Sequence, residues 1–306
     1  MPETITRQQV NAVRKADAGD RSAYDALPGV NQSRLRPFLS STCHGAYALA
    51  NPMKQTEAMR LGIMAHALAL EGWKAYHDRF VVTPESAPKK PTKAQMTAKK
   101  PSEDAVAAIA WWKDFEAVHA GKEIIDRETD EQVVQVAERI QLALQLYEID
   151  AIGKEVALTA QYGEVTLKGC LDIVTSDGFI YDVKTTGLEA TREDWGRTLE
   201  RDVGLALQMA FYSYLFRENF GFSPHGFRHL VVETSPPYGF RVFQASVEIA
   251  AKGTEAMIVV LDRWKEYVAA GAPTDLSDLP LPYPVEVVEV APWKPSASSS
   301  QPIPFA

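Results

Sequence analysis

Apolar residues return along this chain at two spacings, and the change from one to the other separates helical from extended segments. Val133, Val136, Ala137, Ile140, Leu144 and Tyr147 recur every third or fourth position, which predicts an amphipathic helix over 131–149. Helices are also predicted from about Ala58 to Glu71, over Glu103 to His119, from about 201 to 219 before Gly221, and over Val247 to Ala269. Residues 7–16 read as a short polar helix, and Ser33 to Ala50 as helical with an interruption near Ser40-Ser41-Thr42. Strands are predicted near 155–161, 164–175 and 179–184, then over His225 to Glu233 and Gly239 to Ala245. The order predicts a mixed α/β (α+β) domain with an N-terminal helical region and no internal repeat.

The middle strands carry the candidate chemistry. Val165, Leu167, Leu171 and Ile173 are apolar at every second position, Gly169 excepted, so Thr166, Lys168, Cys170 and Asp172 go to the other face of a half-buried strand. A three-residue loop, Ser176-Asp177-Gly178 with Gly178 left-handed, brings Asp172 opposite Asp182. A two-residue loop of Asp177-Gly178 would oppose 172 to 183 and put the carboxylates on different faces; we expect the longer loop. Asp182 and Lys184, two apart, share a face, and the Val183 carbonyl supplies a further oxygen. Two carboxylates with water and phosphate are the usual complement of a magnesium ion. Such an ion polarises a phosphodiester, and an adjacent lysine orients the attacking water and offsets developing charge.

Asp172, Asp182-Val183-Lys184, the earlier Glu155 and the later Gln208-x-x-x-Tyr212 together resemble the PD-(D/E)xK nuclease signature. Within that superfamily they look like the RecE-type exonuclease VIII branch, common in phages and prophages. Tyr181-Asp182-Val183-Lys184-Thr185-Thr186 is close to the branch's DVKTT strand, and Leu207 to Ser213 to its Q-x-A-F-Y-S helix. Pro28 to Leu35 resembles its P-G-V-S-x-S-x-L opening, and Leu61 to Leu68 its L-G-x-x-x-H helix. The similarity spans roughly residues 24 to 270 in order. It implies a core of central mixed β-sheet flanked by helices, with Mg²⁺ as cofactor and Mn²⁺ as substitute. It implies that His66 joins Asp172, Asp182 and the Val183 carbonyl as metal ligands, where many superfamily members use a glutamate. Lys184 would assist the water. Glu155 matches a family glutamate whose role stays open between indirect partner, ligand through water and strand terminus. Gln208 and Tyr212, four apart on one helix face, would contact DNA near the cut, although burial explains Tyr212 equally well. His44, His77, His119, His225 and His229 match nothing in the resemblance and are expected to be structural or solvent-facing.

Composition narrows the reading further. The 306 residues are 46% hydrophobic, enough for a substantial core, and show no run of 18 apolar residues or signal-peptide pattern, so we expect a cytoplasmic protein without membrane contact. Two cysteines, Cys43 and Cys170, are too few for a zinc knuckle or a four-cysteine iron–sulfur cluster and are expected to be reduced. A net charge of −8 is unusual for a DNA-binding chain and requires its basic residues to be concentrated locally. Lys89, Lys90, Lys93, Lys99 and Lys100 cluster between Pro84 and Pro101, a segment without periodicity that reads as an exposed arm, either solvated or contacting phosphates. The expected organisation is an extension over 1–24, a nuclease domain over 25–290 with the 84–101 loop, and a tail over 291–306; prolines accumulate from Pro273 and the chain beyond is expected to be disordered or held by a partner.

The resemblance implies degradation of one strand of double-stranded DNA from a 5′ end, leaving a 3′ overhang for a single-strand annealing partner. It also implies a ring-like homo-oligomer, a trimer or tetramer. The rivals are a structure-specific or restriction-like endonuclease on the same core and a non-catalytic DNA-binding module, the latter disfavoured by the intact Asp172, Asp182 and Lys184.

Overall fold

The computed structural model describes residues 3–17 and 19–273; the proline-rich tail lies outside the described residues. Helices α1 (Arg7–Val13), α2 (Arg21–Ala26) and α3 (Gln32–Leu35) lead through a 3-10 turn at Arg36–Leu39 into α4 (Thr42–Ala50). Helix α5 (Glu57–His66) runs directly into a π turn at Ala67–Glu71, then α6 (Trp73–Arg79) and the strand β1 (Phe80–Val82). Next come α7 (Lys93–Thr97), α8 (Glu103–Val118), β2 (Glu123–Ile125) and α9 (Arg127–Leu146). The central strands are β3 (Ala151–Tyr162), β4 (Val165–Thr175) and β5 (Phe179–Thr186). Helices α10 (Arg192–Arg201) and α11 (Val203–Phe220), strands β6 (Gly226–Glu233) and β7 (Phe240–Gln244), and α12 (Val247–Ala269) complete the order.

Many helices begin where a short polar side chain can accept from an otherwise unpaired backbone N–H: Thr6, Asp20, Asn31, Ser41, Thr56, Ser102, Asp126, Thr191 and Ser246 all do so. Strands β3 to β7 form one sheet in sequence order, antiparallel except between β5 and β6. A parallel pair needs a long crossover, and α10 with α11 provides it. The expected mixed sheet flanked by helices is therefore the observed fold. One face packs on α11 and α12 through Leu207, Phe211, Leu215 and Val260, with Val10 of α1 in the same core. The other face meets α5 and α9 through Met64, Val133, Val136 and Ile140. Helices α11 and α12 touch closely at Gly253, where a Cβ would come within 2.1 Å of the Ala206 carbonyl oxygen. Among the described residues no helix is long and apolar enough to cross a membrane.

Three expectations change. Strand β4 is not half-buried: Lys168 and Asp172 are only 7% and 9% exposed. The Lys168 ammonium instead donates to the carbonyls of Asp25 and Leu27 at 2.8 Å, at the end of α2. Nor does one apolar side run the length of the strand, since Leu171 belongs to the α11 core and Ile173 to the α5–α9 core. Their β3 partners are Val156 and Lys154, so the switch of face falls at Glu155, held at a left-handed φ of 47°. The 84–101 segment, read as an exposed arm without periodicity, contains the short exposed helix α7, built on a capping box between Thr92 and Gln95 that hydrophobic periodicity does not register. Helix α10 carries no hydrophobic period that predicts it, since only Trp195 and Leu199 are buried along it.

Candidate metal centre

The β4–β5 hairpin pairs Ile173 with Tyr181 and Val174 with Ile180, the register of the three-residue loop, and Gly178 has a φ of 75°. Continued by one step, that register brings Asp172 opposite Asp182. There a side chain replaces the regular ladder: Asp172 Oδ2 accepts the Val183 N–H at 2.7 Å. This contact fixes Asp172 beside the next peptide and leaves the Val183 carbonyl free to point elsewhere.

That carbonyl meets His66. Helix α5 approaches β5 closely because Gly62 has no side chain; a Cβ there would lie 2.9 Å from Thr185 Oγ1. At the end of the helix His66 Nε2 donates to the Val183 carbonyl at 2.8 Å and lies 3.8 Å from Asp172 Oδ2. Its Nδ1 lies 3.8 Å from Glu155 Oε1. His66, Glu155 and Asp172 can each present one ligand atom within 4.8 Å of the others. Burial alone would lower the His66 pKa, but the Asp172 and Glu155 carboxylates and the Val183 carbonyl outweigh it and push the ring up to about 9. Burial and the charges of Asp182 and Glu155 raise Asp172 above the usual carboxylate range, with His66 opposing. Burial and Glu155 also hold Cys170 as a protonated thiol, which donates to Glu155 Oε2 at 3.3 Å.

Asp182 is mounted differently. Gln208 Nε2 donates to Asp182 Oδ1 at 3.1 Å, the Lys184 ammonium lies 2.7 Å from Asp182 Oδ2, and the same ammonium donates to Gln208 Oε1 at 2.9 Å. Burial works against the Lys184 charge, yet Asp182 and Asp172 raise its pKa above the ordinary lysine value. Lys184 is thus a fixed cation, suited to stabilise negative charge and unsuited to remove a proton. Tyr212 follows one turn after Gln208; burial and the nearby Asp182 and Asp172 hold its hydroxyl protonated, and its ring packs against the bare Cα of Gly169.

The structure therefore gathers His66, Asp172, Val183, Asp182, Lys184, Gln208 and Tyr212 in one neighbourhood, with two differences from the expected arrangement. Glu155, left open between roles, stands in the three-residue cluster, whereas Asp182 turns to Lys184 and Gln208. A signal for Glu155 existed in the β3–β4 turn: a two-residue loop at Gly163-Glu164 pairs Tyr162 with Val165, and counting back sets 155 opposite 172. Lys89, Lys90 and Lys93 are exposed; Lys90 pairs with Glu116 at 3.2 Å and sits over the Trp112 ring, both on α8. An imidazole nitrogen with carboxylate and carbonyl oxygens is a donor set that fits a divalent cation of the magnesium or manganese kind.

Among solved structures, the chain is similar to a candidate exonuclease from Eubacterium rectale, with a TM-score of 0.50 and 12% identity over 82% of this chain and 85% of that one. That likeness concerns the fold. A phage-related exonuclease from Haemophilus somnus 129PT matches with a TM-score of 0.32 and 13% identity, over 67% of this chain and 94% of the other. No curated protein matches the sequence. The family model described as "PDDEXK-like domain of unknown function" (DUF3799) matches residues 32–273, and with the fold and the Asp172, Asp182, Lys184 pattern in place, the chain belongs to that PDDEXK-like family.

Proposed function

We propose that this protein is a divalent-metal-dependent deoxyribonuclease of the RecE type, acting on double-stranded DNA from an end, with 5′ to 3′ polarity and a 3′ single-stranded product. The observation that carries the reading is the meeting of His66, Glu155 and Asp172 around one point, beside a Lys184 held charged against Asp182. His66, Asp172 and the Val183 carbonyl would hold the ion, with Glu155 joining them and Asp182 at its edge. Bound there, Mg²⁺ or Mn²⁺ would supply Lewis-acid polarisation of the scissile phosphate. Lys184 would orient the attacking water and neutralise charge on the phosphoryl oxygens, and Gln208 would keep Lys184 and Asp182 in register. Exposed Lys89, Lys90 and Lys93 would contact DNA phosphates. In this reading the chain works as a ring-like homo-oligomer and delivers its overhang to a single-strand annealing protein.

Digestion of linear duplexes labelled at the 5′ or the 3′ end, with Mg²⁺ and with chelator, tests the proposal. Loss of the 5′ label first, only with the metal, is expected. Intact linear DNA under all conditions would sink it, and cleavage of closed circular DNA would convert it to an endonuclease.

A further inference from the structure

We propose that His229 is a positioning residue for Asp182, linked to the carboxylate through its imidazole and one ordered water. The inference rests on the reading of this site as a metal centre, for which the orientation of Asp182 matters. It starts from the sheet register. In the parallel β5–β6 pair Asp182 stands beside His229, and the next pair, Val183 with Leu230, points into the α5–α9 core. Asp182 and His229 therefore share the opposite face, beneath α10 and α11. Each is 1% exposed.

The polar atoms on that face do not balance within the protein. Asp182 Oδ1 accepts from Gln208, and Oδ2 faces the Lys184 ammonium at 2.7 Å, a carboxylate oxygen that can accept from a second donor. Both ring nitrogens of His229 lack a hydrogen-bond partner among the described residues, as does Trp195 Nε1. These groups are neighbours, since the His229 ring lies 5.3 Å from Trp195 and 5.3 Å from Phe227, centre to centre. Around them are Ala190, Leu199, Val231 and Phe243. Buried polar atoms take partners, and one water bonded to about three of them is the usual solution. A space-filling side chain would be better served here by phenylalanine. A neutral imidazole offers one donor and one acceptor, enough to join a water on Asp182 Oδ2 to the indole N–H of Trp195. Carboxylates near metal ions are commonly oriented by such outer contacts. Here the contact would reach Oδ2, the oxygen that Gln208 does not hold.

Two measurements test this. Titration with Mn²⁺ should show His229→Phe binding about tenfold more weakly, with an unchanged or higher melting temperature, and His229→Gln within about threefold of the parent. Spectra of the metal-free protein should show His229 in one tautomer with its N–H proton hydrogen-bonded, and that proton shifted upfield after Asp182→Ala. Parent-like Mn²⁺ affinity in His229→Phe, or an unshifted His229 N–H proton in Asp182→Ala, would overturn the inference. Should His229→Phe not fold, the proton-shift comparison decides alone. A parent protein that binds no Mn²⁺ would defeat the metal-centre reading instead, and the spectra would still report on the link.

Discussion

Gln208 donates to Asp182 Oδ1 at 3.1 Å and accepts from the Lys184 ammonium at 2.9 Å, so one amide on α11 holds the carboxylate and the ammonium of β5 together. Lys184→Ala is expected to slow single-turnover cleavage about 100- to 1000-fold. Gln208→Ala, which leaves both charges but frees them, should cost about 10- to 100-fold. A Lys184→Ala protein that cuts at the parent rate would remove Lys184 from the proposed chemistry.

Protons and metal ions compete for the same atoms. His66 is pushed up from 6.5 to about 9 and Asp172 is also raised, so the folded protein holds more protons than the unfolded chain in the pH range between. The stabilising contribution of charged His66 is complete below pH 6.5 and is lost as the pH rises through 9; that of protonated Asp172 is complete below its ordinary value and is lost as the pH climbs through its raised one. The metal-free protein should therefore melt at lower temperature at pH 9 than at pH 6. Added Mg²⁺, which needs neutral imidazole and ionised carboxylate, should raise the melting temperature more at pH 9. Equal Mg²⁺ stabilisation at both values would contradict this.

Glu155 has a φ of 47°, a conformation that glycine adopts freely and alanine does not. Glu155→Gly and Glu155→Ala both delete the carboxylate and should weaken divalent-ion binding equally. In urea melts of the metal-free proteins the glycine variant should be the more stable by about 1 kcal/mol, the reverse of the usual order in strands.

Gly253→Ala sets a methyl group 2.1 Å from the Ala206 carbonyl oxygen, a backbone atom of the helix that carries Gln208. The two helices must separate, at a cost of about 1–3 kcal/mol. Denaturant unfolding should register the loss, and cleavage should fall with it as Gln208 moves away from Lys184.

Replacing Lys89, Lys90, Lys93, Lys99 and Lys100 with glutamine should reduce the slope of log affinity against log salt by about 0.9 for each phosphate contact removed. An unchanged slope would return the segment to a solvated role.

The division between local and long-range information runs through the site itself. Loop length, glycine placement and strand period are local quantities, so the chain alone determined the β4–β5 register, the sharing of one face by Asp182 and Lys184, and the pairing of Gln208 with Tyr212 on one helix surface. Packing decided the remainder. Whether Lys168 met water or the end of α2 depended on a segment more than a hundred residues earlier. Glu155 rather than Asp182 joined His66 because α5 docks at Gly62 and because β3 and β4 change face at Glu155. Such convergence arises from side chains distant in sequence meeting across a sheet twisted by its own packing, and no periodicity within a single segment encodes it.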